Sequence, residues 1–167
     1  VPCEQELGGK DCAIVRGDAP IARTAAGIAW GILHNAGQDC ASIERVVGHA
    51  SIAPTFLPAL VAAMQAAAPG VPGLVTAAQR RVVQSHLEDA AARGARFLLG
   101  GVPSPEEPVP PTLIEGLPRE GLAWKEESFG PLAVVEVHGD DDALLAAAND
   151  TSYGLGGSVW SGDVAAG

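Results

Sequence analysis

The chain has 167 residues, 47% of them hydrophobic but only 4% aromatic, and carries a formal net charge of −10. A length of this order fits one domain and buries roughly 70% of the unfolded surface, so a core of aliphatic side chains and alanine is expected. The acidic balance argues against binding a phosphate backbone, which needs clustered Lys and Arg, and no apolar stretch approaches the ~20 residues of a membrane span.

The cysteines Cys3, Cys12 and Cys40 are odd in number and show no C-x-x-C pairing, while His34, His49, His86 and His138 are scattered. Neither structural-zinc spacing nor a secreted disulfide framework is present. No metal, nucleic acid or membrane partner is therefore expected. No secretory leader is expected ahead of the first strand, and a reducing cytoplasm is the expected compartment.

After ELGGK, the run DCAIV (Asp11 to Val15) reads as a buried strand. A helix follows, with Asp18 as N-cap, Pro20 in the first turn, and Ile21, Ala25, Ile28, Ala29 and Ile32 at helical spacing. Gly37 is expected to end it, leaving Gln38, Asp39 and Cys40 in the turn beyond. IERVVGH (Ile43 to His49) is a second strand, residues 52–67 and 76–93 are amphipathic helices, and ARFLLGG (Ala95 to Gly101) is a third strand. The proline-rich stretch Val102 to Pro111 is a loop. PLAVVEVH (Pro131 to His138) is a fourth strand. GDDD opens an alanine-rich helix ending near Asn149, its carboxylates favourable at the positive helix end, and GGSVWS (Gly156 to Ser161) is a fifth strand. Strands alternating with helices imply an α/β fold, a parallel-rich sheet with flanking helices. The chain opens just before one motif and closes in DVAAG, so it is expected to be part of something longer.

Four segments could carry chemistry. Cys40 could be a core thiol, half of a disulfide, a metal ligand or a nucleophile, and only a thiolate is a useful nucleophile. The helix end and Asp39 put negative charge beside it, so activation is expected from a base or a bound cofactor. Glu6 precedes Gly8 and Gly9, which lack side chains and let a ligand approach the backbone; the alternative is an exposed carboxylate in a turn. GGK hints at a phosphate loop, but GxxxxGK[ST] is absent. KEESFGPL (Lys125 to Leu132) and NDTSYGL (Asn149 to Leu155) are the other two, each readable alone as a turn.

In that order, ELGGK, NAGQDC, EESFGPL and NDTSYGL resemble the aldehyde dehydrogenase superfamily, along essentially the whole chain. The resemblance implies a catalytic-domain fold, partial at both ends, with the dinucleotide-binding region and the C-terminal oligomerisation segment expected elsewhere in a homo-oligomeric parent. It implies that Cys40 attacks a small-molecule aldehyde, that a thiohemiacetal gives hydride to NAD or NADP, and that water hydrolyses the resulting thioester. Glu6 is implied as the general base and the Cys40 N–H as an oxyanion donor. By the same resemblance Glu127 bonds the nicotinamide ribose, Phe129 packs beside it, and Leu7, Gly8 and Gly9 line the nicotinamide pocket. Asp39 and Ala41 flank the aldehyde channel. A non-catalytic remnant on the same scaffold, and a thiol hydrolase pairing Cys40 with His34, are the competing readings.

Overall fold

A computed structural model describes residues 2–3 and 7–167. Among these, six strands form one sheet in the order β3-β4-β5-β2-β1-β6. The strands are β1 (Asp11–Val15), β2 (Ile43–His49), β3 (Arg96–Leu99), β4 (Thr112–Glu115), β5 (Leu132–His138) and β6 (Gly157–Trp160). Every neighbouring pair is parallel except β3 with β4. The mixed layer structure expected from the alternation of strands and helices is the one present.

Both faces of the central strands are covered, which is why they read as apolar runs without alternation. Ala13 and Val15 of β1, Val46 of β2 and Ala133 and Val135 of β5 pack on one face. Against them lie α1 (Ile21–Leu33), through Ile28 and Ile32, and α2 (Ala53–Ala67), through Phe56, Leu60 and Met64. Cys12, Val47, Leu132 and Val134 point to the other face. There they meet α3 (Ala77–Ala92), the short α4 (Leu122–Lys125) and α5 (Asp141–Asn149).

Several local expectations need correction. Asp18 does not cap α1: Pro20 is the N-cap, and the Asp18 carboxylate instead accepts from Ser161 Oγ and the Asp163 N–H. The helix also ends earlier than Gly37, at Leu33, because Asn35 and Ala36 already adopt left-handed backbone with φ 51° and 58°. Strand β4 and helix α4 lie between the proline-rich loop and β5, where the sequence pattern signals no element. TLIE is four residues long, and its strand character comes from pairing with β3 and β5.

Two caps do agree with local chemistry. Asp140 accepts from the Ala143 N–H at the start of α5, and Thr76 Oγ1 accepts from the Gln79 N–H at the start of α3. No helix among the described residues is long and apolar enough to cross a membrane. Replacing Thr76 by Ala should cost about 1 kcal/mol in urea unfolding, the usual loss of an N-cap side chain; an unchanged midpoint would show that α3 does not depend on that bond.

Candidate active site

Because β1, β2, β5 and β6 are parallel, the segments that enter them all lie along one edge of the sheet. Gly9 and Lys10 precede β1, Cys40 to Ser42 precede β2, Ser128 to Gly130 precede β5, and Leu155 and Gly156 precede β6. The topology thus gathers all four sequence motifs at the amino ends of the strands. Glu6 lies outside the described residues.

Gly9 is where two of these segments meet. Its N–H donates to Glu127 Oε1 at 2.8 Å. A Cβ on Gly9 would collide with the Cys40 carbonyl oxygen, and one on Gly8 with the Glu127 carboxylate. Glycine is required here because backbone packs directly on backbone and carboxylate. Leu7 and Cys40 are exposed, and Phe129 is partly buried. Glu127 Oε2 makes no hydrogen bond to the described residues, and its backbone N–H donates to the Tyr153 hydroxyl at 3.2 Å.

The Cys40 turn is tied down on both sides. Gly37, with φ 67°, packs so closely on the Gly130 carbonyl that a side chain would collide with it. The buried Gln38 donates through Nε2 to the Asn35 carbonyl at 2.9 Å and accepts from the Val75 N–H at 2.8 Å. Asp39 Oδ1 accepts from the Ala41 N–H at 2.9 Å, so this carboxylate is folded onto its own turn. The Cys40 N–H itself donates to no described atom. His34 does not join the thiol in any hydrogen bond; its ring lies against Trp30, with centroids 4.8 Å apart.

Beneath the turn lies a buried polar cluster. Lys10 Nζ reaches Glu44 Oε2 at 2.5 Å, with both side chains almost completely removed from solvent. Glu44 also accepts the Ser128 N–H at 2.8 Å and the Phe129 N–H at 2.8 Å. Phe129 has φ 48°, a conformation costing about 1–3 kcal/mol in a residue with a side chain, and the Glu44 carboxylate helps hold it there. Arg45 points oppositely, donating to the carbonyls of Lys10, Ala147 and Ala148. It joins the start of β1 to the end of α5. Burial pulls the Lys10 ammonium below its usual range, with Glu44 opposing the shift. Burial likewise pushes the Cys12 thiol up to about 11, leaving it an inert core residue at neutral pH.

An exposed thiol whose backbone N–H donates to no described atom, against a glycine pair and a carboxylate with one oxygen unbonded among the described residues, fits covalent chemistry on a carbonyl beside a hydroxyl-bearing ligand. Comparison with known proteins decides the family. The aldehyde dehydrogenase family model matches residues 1–167. The chain belongs to the aldehyde dehydrogenase family.

It is 35% identical over 170 residues to vanillin dehydrogenase from Pseudomonas fluorescens, covering 97% of this chain and 35% of that protein. It is 34% identical to a succinate-semialdehyde dehydrogenase [NADP(+)] from Mycobacterium ulcerans, covering 98% of this chain and 38% of that protein. Among solved structures, a P. syringae indole-3-acetaldehyde dehydrogenase variant in complex with NAD+ and IAA superposes with a TM-score of 0.89 at 31% identity, covering 96% of this chain and 35% of that one. The chain therefore spans about a third of the length of the relatives it matches.

Within this aldehyde dehydrogenase fold, the structure brings together Gly8, Gly9, Cys40 and Glu127, with Phe129, Asp39 and Ala41 on the same loops. Sequence reading missed Lys10, Glu44, Ser128, His86 and Tyr153. The available signal was the pair Glu44-Arg45 inside an otherwise apolar strand, since buried charges need partners. Glu44→Gln should destabilise the fold by about 3–5 kcal/mol in urea unfolding, the range for removing one member of a buried pair. A change near zero would mean that Lys10 is held by other means.

Proposed function

We propose that the protein containing this chain oxidises an aldehyde to a carboxylic acid with NAD(P)+, through a covalent intermediate on Cys40. The observation that carries this reading is Gly9, whose bare backbone touches both the Cys40 carbonyl and the Glu127 carboxylate. A nucleophile and a ligand for ribose hydroxyls are thereby held one residue apart. The relatives add support: one is named for NADP(+) and a solved neighbour holds NAD+.

When bound, NAD(P)+ supplies the acceptor for a hydride. The chain's own residues would do the remaining work. Glu127 Oε2 would accept from the ribose hydroxyls, and Phe129, Leu7 and Gly8 would line the nicotinamide end. The thiol of Cys40 gives up its proton to a base, and its sulfur bonds to the aldehyde carbon. The Cys40 N–H donates to the oxygen that becomes negative, a contribution realised as the tetrahedral carbon forms. Loss of hydride from that carbon leaves a thioester. Glu6 then takes a proton from water, hydroxide adds to the thioester carbonyl, and the thiolate leaves as the acid is released. Asp39 and Ala41 border the entry path, with Asp39 committed to shaping the turn.

Hydrolysis of p-nitrophenyl acetate uses the thiol and base without a hydride acceptor, so it tests this chain directly. Cys40→Ser should abolish turnover and the acetyl adduct seen by mass spectrometry. Glu6→Gln should slow turnover by about 10²–10⁴-fold, as for loss of a general base. Full turnover in Cys40→Ser would sink the proposal.

A further inference from the structure

Every polar group of Ser128 is held, although the residue is fully buried. Its N–H is bound by Glu44 and its carbonyl accepts from Gln79 Nε2 at 2.6 Å. Its hydroxyl lies 3.3 Å from Lys10 Nζ and 3.0 Å from His86 Nδ1. Gln79 and His86 both belong to α3, two turns apart. That helix therefore grips the loop between Glu127 and Phe129 from outside, while Lys10 and Glu44 hold it from below.

The direction of these bonds can be worked out. Lys10 Nζ is a donor toward Ser128 Oγ, so the hydroxyl proton must go elsewhere. The remaining partner is His86 Nδ1, which accepts it only in the neutral imidazole carrying its hydrogen on Nε2. Protonating Nδ1 would turn His86 into a donor. Two cationic donors would then face one hydroxyl, and its proton would lose its acceptor.

We propose that His86 is a positioning residue for the cofactor-holding loop, keeping Glu127 and Phe129 in place only while its imidazole is neutral. The functional consequence rests on the reading of Glu127 as a cofactor ligand; the hold on the loop does not. The charged groups facing His86 are Lys10 ahead of β1, Glu44 on β2, Glu126 ahead of the loop and Asp89 on α3 itself. Burial, then Lys10, lowers the His86 pKa from the ordinary 6.5, while Glu44, Glu126 and Asp89 oppose that. The imidazole is thus neutral near pH 7. Below 6.5 the released loop takes up a proton more readily than the closed one, so acid favours opening.

The test is amide hydrogen exchange at Ser128 and Phe129, expressed as protection factors between about pH 7.5 and about pH 5, where histidine titrates. The Val46 amide in the central strand reports whether the whole chain stays folded. In the wild type, acid should lower protection at these two amides by up to about tenfold for each pH unit below 6.5, levelling off once His86 protonates in the closed loop, with Val46 remaining the better protected amide throughout. His86→Asn keeps an acceptor for the hydroxyl but cannot titrate, and should hold protection constant over the range. His86→Leu should lose protection even at neutral pH. Acid-independent protection in the wild type, or an acid response in His86→Asn equal to the wild type's, overturns the inference. NAD+ and NADP+ titrations of the full-length protein, with Glu127 and with Glu127→Gln, separate the two readings: if both forms bind the nucleotides equally while the exchange pattern appears, the assignment of Glu127 falls and the role of His86 stands.

Discussion

One carboxylate organises this end of the molecule. Glu44 sits at the start of β2, buried, and receives the Lys10 ammonium together with the N–H groups of Ser128 and Phe129. Taking that charge out of water is expensive unless nearly every lone pair is used. The site meets this condition by drawing donors from two other segments of the chain. The loop ahead of β5 and the segment ahead of β1 are fixed because the carboxylate must be satisfied. The unusual backbone of Phe129 and the bond between Gly9 and Glu127 both depend on that requirement.

The arrangement also explains why the site lies at the amino edge of a parallel sheet, whereas open α/β sheets usually bind ligands at the carboxyl edge. Cys40 precedes its strand because α1 stops at Leu33 and the chain turns through three left-handed residues, Asn35, Ala36 and Gly37. Gly37 then presses on the Gly130 carbonyl, so the Cys40 turn and the Glu127 loop share a wall. Gln38 extends the same connection to the residues ahead of α3. Helix α3 in turn holds Ser128. The Cys40 turn, the Gly9 segment and the Glu127 loop are therefore parts of one bonded framework.

The sequence made the apolar strands legible because both of their faces are buried, as in DCAIV and PLAVVEVH. Cys40, Gly8, Gly9 and Glu127 were singled out by the family resemblance that ELGGK, NAGQDC and EESFGPL carry, and the structure brings these four residues together. The sequence did not reveal β4, whose four residues become a strand only through neighbours on either side. Nor did it show the true end of α1, because Gly37 is the obvious breaker while Asn35 and Ala36 carry the turn. The supporting cluster was invisible for a different reason. Lys10 and Ser128 are 118 positions apart, and Glu44 and Ser128 are 84 apart. Local pattern cannot register a polar group whose partner arrives from so far along the chain.

The central claim is that the Glu44 carboxylate transmits order from the buried cluster to the exposed site. The most direct measurement is hydrogen exchange at the Gly9 amide in Glu44→Gln, beside Ser128, Phe129 and the Val134 reference in β5. Gly9 does not touch Glu44; its N–H bonds to Glu127 on the loop that Glu44 holds. Gly9 is expected to lose protection together with Ser128 and Phe129, and by more than the loss at Val134 that the lower global stability brings. A Gly9 amide that stays protected while Ser128 and Phe129 exchange freely would contradict the claim.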